Sequence, residues 1–269
     1  PMIDQNPDSV KAFEAAGMEV VQLPVKDGWD SEKLTQALSD ADGCIITGYN
    51  VTGAMMDRCP RLKVISRTGV GVESVDLKEA TKHRIAVTNI AGTDHDSVAD
   101  ATMCLLLDMA RGFYRAYQGV KQGRWEGVFG AELAGKTVGI IGIGRVGKET
   151  ARRARGFKVN VLAYDVAPDE AFARENGVTY VALDELLQQS DFVCLNCALT
   201  PANKDMVNRR TLALMKPTAY LINTARGGLI DEEALLEALR EKRIAGAALD
   251  VLVHEPGTNS PFLQFDNVM

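Results

Sequence analysis

The sequence has 269 residues, of which 46% are hydrophobic and 25% charged, a balance that excludes a collagen-like or disordered chain. Thirty Lys and Arg against 36 Asp and Glu give a net charge of -6, and no basic block offers a footprint for nucleic acid. No apolar run reaches the length of a membrane span and no basic-then-apolar leader is expected at the N-terminus, so a cytoplasmic protein without membrane or nucleic-acid partners is anticipated.

At roughly 150 residues per domain, the length fits one large domain or two modest ones. Strands are predicted at Glu19–Leu23, Cys44–Thr47, Leu62–Ser66 and Ile85–Thr88. Further along, Thr137–Ile141, Asn160–Tyr164, Asp191–Asn196, Ala219–Asn223 and Ile244–Leu249 read the same way. Helical patterns fall between them, as in Asp8–Ala16, Glu32–Ser39 and Glu232–Lys242. Such alternation predicts an α/β protein with mostly parallel sheets.

A domain boundary is placed within Ala91–Asp96, giving domains of residues 1–94 and 95–269. Ser97 with Asp100 reads as a capping box opening the next helix. Val98, Ala101, Leu105 and Met109 are its expected buried stripe, and the helix would act as a hinge. A single domain with an internal helix is the alternative.

Five cysteines are too few and scattered for a disulfide framework. Cys194 and Cys197 form a C-x-x-C, but the surrounding DFVCLNCAL reads as a buried strand. Residues three apart on a strand face opposite ways, so core thiols are expected and no metal site.

The sharpest local signal is TVGIIGIGRVGKETARRA. Gly142, Gly144 and Gly147 form G-x-G-x-x-G between a predicted strand and a helix running from Arg145 into Arg155. In that context the first glycine permits a tight turn, the second lets a pyrophosphate approach, and the third lets helix and strand pack. The helix N-terminus supplies free N–H groups and a positive dipole. A second strand ends in Asp165, 18 residues after Gly147 and able to accept from ribose hydroxyls. Val166, Ala167 and Pro168 follow, with no cation for a 2′-phosphate, so NAD is expected over NADP.

Taken together, RTGVGVESVD (Arg67–Asp76), the GIGRVG turn, LINTARGGLIDEEALLEAL (Leu221–Leu239), AGAALDV (Ala245–Val251) and HEP (His254–Pro256) resemble the D-isomer-specific 2-hydroxyacid dehydrogenases, the family that includes D-3-phosphoglycerate dehydrogenase. The resemblance covers nearly the whole chain. It implies a flavodoxin-like substrate domain and a Rossmann coenzyme domain with a cleft between them. It also implies that Arg145 and Val146 bind the pyrophosphate, that Asp165 holds the adenine ribose, and that Thr224, Ala225 and Asp250 line the nicotinamide end, with Cys197 close by. Amides of Val70 and Gly71 would hold the substrate carboxylate. Arg226 and Glu255 match two members of an Arg–Glu–His catalytic set. A guanidinium suits the first role because it can grip a carboxylate and polarise a carbonyl, and Glu255 would raise the basicity of a histidine that protonates the alkoxide.

Against that pattern, the first strand of the substrate domain is expected to be missing. The catalytic histidine and the helix returning to the substrate domain would lie beyond Met269. A polypeptide ending there is expected to bind NAD but reduce 2-keto acids slowly. His83, His95 and His254 are poor substitutes: a turn residue, a helix start and a loop neighbour of Glu255.

The expected activity is NAD-dependent interconversion of a small D-2-hydroxy acid and its 2-keto acid, such as glyoxylate or hydroxypyruvate reduction. D-3-phosphoglycerate dehydrogenase is the alternative, weakened because Ile46 stands where a phosphate-binding cation is expected and only Arg67 compensates. A non-catalytic NAD-sensing interaction module is the alternative of another class. Gly112–Gly130, with its aromatic residues, is expected to join a homodimer through the coenzyme domain.

Overall fold

The computed structural model describes residues 7–22, 31–255 and 257–269. The chain divides into two compact units, one ending at Thr93 and the other spanning Asp94–Met269. Among the described residues no helix is long and apolar enough to cross a membrane.

The first unit contains α1 (Pro7–Ala15), α2 (Ser31–Leu38), β1 (Gly43–Ile46), α3 (Gly53–Asp57), β2 (Val64–Arg67), α4 (Leu77–Lys82) and β3 (Ala86–Thr88). Its strands form a parallel sheet in the order β1-β2-β3. Ile65 of the central strand is fully buried and packs with Leu34, Met56 and Val75. Asp76 starts α4 by accepting from the N–H groups of Lys78 and Glu79, each at 3.1 Å. The strand expected at Glu19–Leu23 is not formed over residues 19–22, and Leu23 lies outside the described residues.

The second unit opens with α5 (His95–Arg111) and α6 (Phe113–Lys121). Next come β4 (Thr137–Ile141), α7 (Arg145–Arg155), β5 (Asn160–Tyr164), α8 (Glu170–Asn176), β6 (Val178–Tyr180), α9 (Leu183–Gln189) and β7 (Phe192–Leu195). Last are α10 (Arg209–Leu212), β8 (Tyr220–Asn223), α11 (Glu232–Arg240) and β9 (Gly246–Leu249). The six strands form one parallel sheet ordered β6-β5-β4-β7-β8-β9, the order of the doubly wound dinucleotide-binding fold.

Alternation along the strands builds two apolar layers. Ile140, Ala163, Cys194 and Ile222 join one, with Leu106 of α5 and Ala151 of α7. Ile141, Leu162, Val193, Leu195 and Leu221 join the other, with Leu186 of α9 and Leu235 of α11. Both faces are covered, so the strands read as continuous apolar runs.

Helix α5 departs from its expected details. Its N-cap is Asp94, without a side-chain cap, and Ser97 lies inside the helix. Asp100 is instead held by Arg153 Nε of α7 at 2.6 Å, while Arg153 Nη2 holds Asp96 at 2.8 Å. That guanidinium keeps the Asp96 carboxyl below the usual carboxylate range. The buried stripe is Ala99, Thr102, Met103, Leu106 and Ala110, one residue on from the expected Val98, Ala101, Leu105 and Met109. Packing against α7 and the sheet, rather than apolarity alone, selects this face.

Candidate active site

Strand register aligns the candidate residues. Tyr164, Ile141, Leu195, Asn223 and Leu249 pair across five strands. One residue further on, at the carboxyl edge of the sheet, lie Asp165, Gly142, Asn196, Thr224 and Asp250. This edge, beside the point where strand order reverses between β4 and β7, is where open α/β sheets take ligands.

The glycines of the turn after β4 differ in what surrounds them. Gly142 has φ +95°, and a β-carbon there would lie 2.6 Å from the backbone N of Cys197. A β-carbon on Gly147 would overlap the Gly142 carbonyl oxygen. At Gly144 a β-carbon would meet nothing within 4 Å. Gly144 is also the N-cap of α7 and has no side-chain cap, so the first N–H groups of the helix, at Arg145 and Val146, remain for an anion. Open backbone at the middle glycine and uncapped amides together fit a pyrophosphate.

Asp165 is fixed by its own surroundings. Its Oδ2 accepts from Ile143 N at 2.6 Å and its Oδ1 from Ala167 N at 2.9 Å. Each oxygen keeps acceptor capacity for a ribose hydroxyl. The turn and the carboxylate are therefore tied into one structure by the Ile143 contact.

On the other half of the sheet, Cys194 and Cys197 pack into different layers. Burial pushes the Cys194 thiol up to about 12 and also raises Cys197, whose Sγ lies 3.8 Å from Asn203 Nδ2. After β8, fully buried Asn223 braces the turn: its Oδ1 accepts from Ala225 N at 3.0 Å, and its Nδ2 donates to Arg226 O at 2.9 Å. Arg226 is half-buried and donates from Nη1 to Ala225 O at 2.7 Å. Asp250 N donates to Asn223 O at 3.0 Å, joining the turns after β8 and β9.

Glu255 lies off this edge, exposed on the following loop, where its Oε1 accepts from Leu252 N at 3.1 Å. His254 beside it is exposed as well, and Pro256 of the HEP motif lies outside the described residues. His83, in the turn after α4, is exposed and meets Asp57 Oδ1 from Nε2 at 3.1 Å. His95 begins α5, with Nδ1 buried and without a partner among the described residues.

Val70 and Gly71 belong to the unit that ends at Thr93. Their carbonyls are tied back: Asn89 Nδ2 donates to Val70 O at 2.6 Å, and Arg67 Nε to Gly71 O at 3.1 Å. Their own N–H groups have no acceptor among the described residues. Ile46 is buried in the core of this unit.

The reading of motifs passed over Asn196 and Thr102. Asn196 stands in the same register row as Asp165 and Thr224, and its Nδ2 donates to Thr224 Oγ1 at 3.3 Å. Thr102 Oγ1 of α5 lies 2.7 Å from that same hydroxyl. The position of Asn196 at the end of a predicted strand was the available signal; Thr102 left none, because its partner is 122 residues away.

Known proteins similar to this chain belong to one family. Residues 103–269 match the family model for the NAD binding domain of D-isomer specific 2-hydroxyacid dehydrogenases. The chain is 40% identical over 266 residues to a D-3-phosphoglycerate dehydrogenase of Methanocaldococcus jannaschii, covering 97% of this chain and 50% of that protein. It thus spans half the length of that relative. A glyoxylate reductase of Korarchaeum cryptofilum is 40% identical over 226 residues, covering 81% of this chain and 68% of the other. The apo structure of D-lactate dehydrogenase from Escherichia coli superposes with a TM-score of 0.85 at 30% identity, covering 96% of this chain and 83% of that one. The chain belongs to the D-isomer specific 2-hydroxyacid dehydrogenases, and its residues 103–269 are their NAD-binding domain.

Proposed function

We propose that the protein interconverts a small D-2-hydroxy acid and its 2-keto acid, with NAD as hydride carrier. The single observation that carries this reading is the row of strand ends from Asp165 to Asp250, with Arg226 two residues beyond Thr224. Bound NAD(H) accepts or supplies the hydride. Asp165 receives the adenine ribose hydroxyls, and the first amides of α7, with Gly142, Gly144 and Gly147 shaping the turn, receive the pyrophosphate. Cys197, Thr224, Ala225 and Asp250 take the nicotinamide half.

Arg226 supplies two donors in a fixed fork, which suits the adjacent carboxylate and carbonyl oxygens of a 2-keto acid. The amides of Val70 and Gly71 hold the substrate carboxylate. By its match to the Arg–Glu–His set of the family, Glu255 would orient an imidazole that protonates the alkoxide. None of His83, His95 and His254 is assigned that proton: the first is paired with Asp57, the second heads a helix, and the third is exposed on its loop.

The substrate we favour carries no phosphate, because Ile46 is core rather than a cation facing the substrate loop. The D-3-phosphoglycerate reading draws on the 40% identical relative of that name and on Arg67 beside Gly71. A keto-acid panel with NADH oxidation as readout, run on the complete gene product, decides. Glyoxylate or hydroxypyruvate should lead; faster turnover of 3-phosphohydroxypyruvate overturns the substrate choice. Absence of turnover with any 2-keto acid, together with NADH-dependent capture of a protein partner, would favour a sensing module.

The same reading includes a homodimer built through the coenzyme domain. No residue of α6 is buried, and Trp125 and Phe129 beyond it are 91% and 99% exposed. A second copy would cover this aromatic surface. Light scattering that shows a monomer at high concentration would remove the dimer.

A further inference from the structure

Asn196, Thr224 and Thr102 form a chain of hydrogen bonds whose direction is fixed. Thr102 Oγ1 donates its one proton to Val98 O at 2.8 Å. It therefore accepts from Thr224 Oγ1 at 2.7 Å, and Thr224 in turn accepts from Asn196 Nδ2 at 3.3 Å. Thr102 is fully buried and Thr224 nearly so. The chain ties the carboxyl ends of β7 and β8 to the middle of α5.

The far end of this chain is unbalanced. Asn196 Oδ1 is buried and has no hydrogen-bond partner among the described residues. A buried acceptor left unmade is unfavourable, and an apolar side chain of similar shape would pack there without that cost. What an asparagine provides that leucine does not is a directed N–H on the Thr224 hydroxyl. Thr224 is thereby held at its side chain on both sides, while its backbone and that of Ala225 continue the row at the sheet edge.

We propose that Asn196 and Thr102 are positioning residues that orient the Thr224–Ala225 backbone for the nicotinamide half of NAD; the inference rests on the reading of residues 224–225 given above. Neither residue touches the coenzyme in this role. Both act through Thr224, in the way that supporting shells hold binding groups to productive geometry.

The test compares two ligands that differ only at the nicotinamide. NADH and ADP-ribose are titrated against the parent protein, Asn196→Leu, Thr102→Val and Thr102→Ser, and each variant is also melted. Asn196→Leu and Thr102→Val should bind NADH about tenfold more weakly, the worth of one well-placed hydrogen bond, and ADP-ribose within about twofold. Thr102→Ser should restore NADH binding, and Asn196→Leu should melt no lower than the parent. Equal loss for both ligands, or a fall in melting temperature with NADH binding unchanged, would show a merely structural role and overturn the proposal. A parent protein that binds NADH no more tightly than ADP-ribose would instead overturn the assignment of residues 224–225, which separates the two failures.

Discussion

Gly147 sits against the Gly142 carbonyl so closely that a β-carbon on Gly147 would overlap it. The motif therefore contains glycines required by packing and one required by nothing within the protein. Gly147→Ala forces backbone apart and should cost about 1–3 kcal/mol, as other overpacked sites do. Gly144→Ala meets no atom within 4 Å and should leave stability within about 0.5 kcal/mol of the parent. Its methyl group would occupy the space through which a pyrophosphate approaches, so NADH should bind at least about tenfold more weakly, a loss of about 1.4 kcal/mol. Thermal melts and NADH titrations of the two variants check this. Unchanged NADH affinity in Gly144→Ala would contradict the placement of the pyrophosphate.

In the proposed site Asp165 would set the choice between the two nicotinamide dinucleotides. Its carboxylate is held by Ile143 N and Ala167 N, so it cannot swing away from an added 2′-phosphate without breaking both bonds. The parent protein should bind NADH more tightly than NADPH. Asp165→Ser removes the charge and should narrow the ratio about tenfold or more, chiefly by weakening NADH. Equal affinity of the parent for both coenzymes would refute the argument.

The sheet of the second unit was legible because it is buried on both faces. Thr137–Ile141 and Asn160–Tyr164 are apolar runs bounded by polar residues, and the strands match them end to end. The edge strand Val178–Tyr180 has three residues, too few for a pattern to stand out from the helices around it. The buried face of α5 was misplaced by one residue because Thr102 counts as polar in any pattern, yet it is buried with its hydroxyl donating to Val98 O and accepting from Thr224. In the same way Asp100 looked like half of a local cap and is instead bound by Arg153 of another helix. Local patterns predict what a residue can do. The partner that decides among those options is supplied by the fold.

Asp191 should make stability depend on pH. Burial raises its pKa, but the Thr137 N–H at 2.8 Å and Lys216 Nζ at 3.0 Å outweigh that and hold it below the usual carboxylate range. A carboxyl depressed in the folded state stabilises fully above its unfolded pKa of about 3.9 and ceases to do so as pH falls through the lower folded value. Asp191→Asn keeps an acceptor for Thr137 N and removes the charge. It should destabilise by about 1–2 kcal/mol between pH 5 and 7. The difference from the parent should begin to shrink below about pH 4, where the unfolded parent takes up its proton, and should vanish only as the folded carboxyl does so at lower pH. Denaturant melts at pH 7 and pH 3 measure this, and a gap that widened in acid would have the wrong sign.

In the proposed site Arg226 would carry chemistry and Asn223 would support its turn. Arg226 projects from a turn whose backbone Asn223 holds at both ends, through Ala225 N and Arg226 O. Arg226→Lys keeps a positive charge but loses the planar fork. If the guanidinium polarises the keto group, kcat/KM for the best 2-keto acid should fall on the order of 100-fold, the usual consequence of removing one oriented donor from a developing oxyanion. The NADH dissociation constant and the melting temperature should stay near the parent values. Asn223→Leu should behave in the opposite way. It leaves the Ala225 N–H and Arg226 carbonyl without their partner in a buried site, which costs about 1–3 kcal/mol for each group. Its melting temperature should therefore drop, and its activity should decline with the folded fraction and with the disordered turn. Steady-state kinetics, NADH titration and melts on both variants distinguish the two. Full activity in Arg226→Lys would remove the residue from the chemical step, and the row of strand ends would then describe a coenzyme site alone.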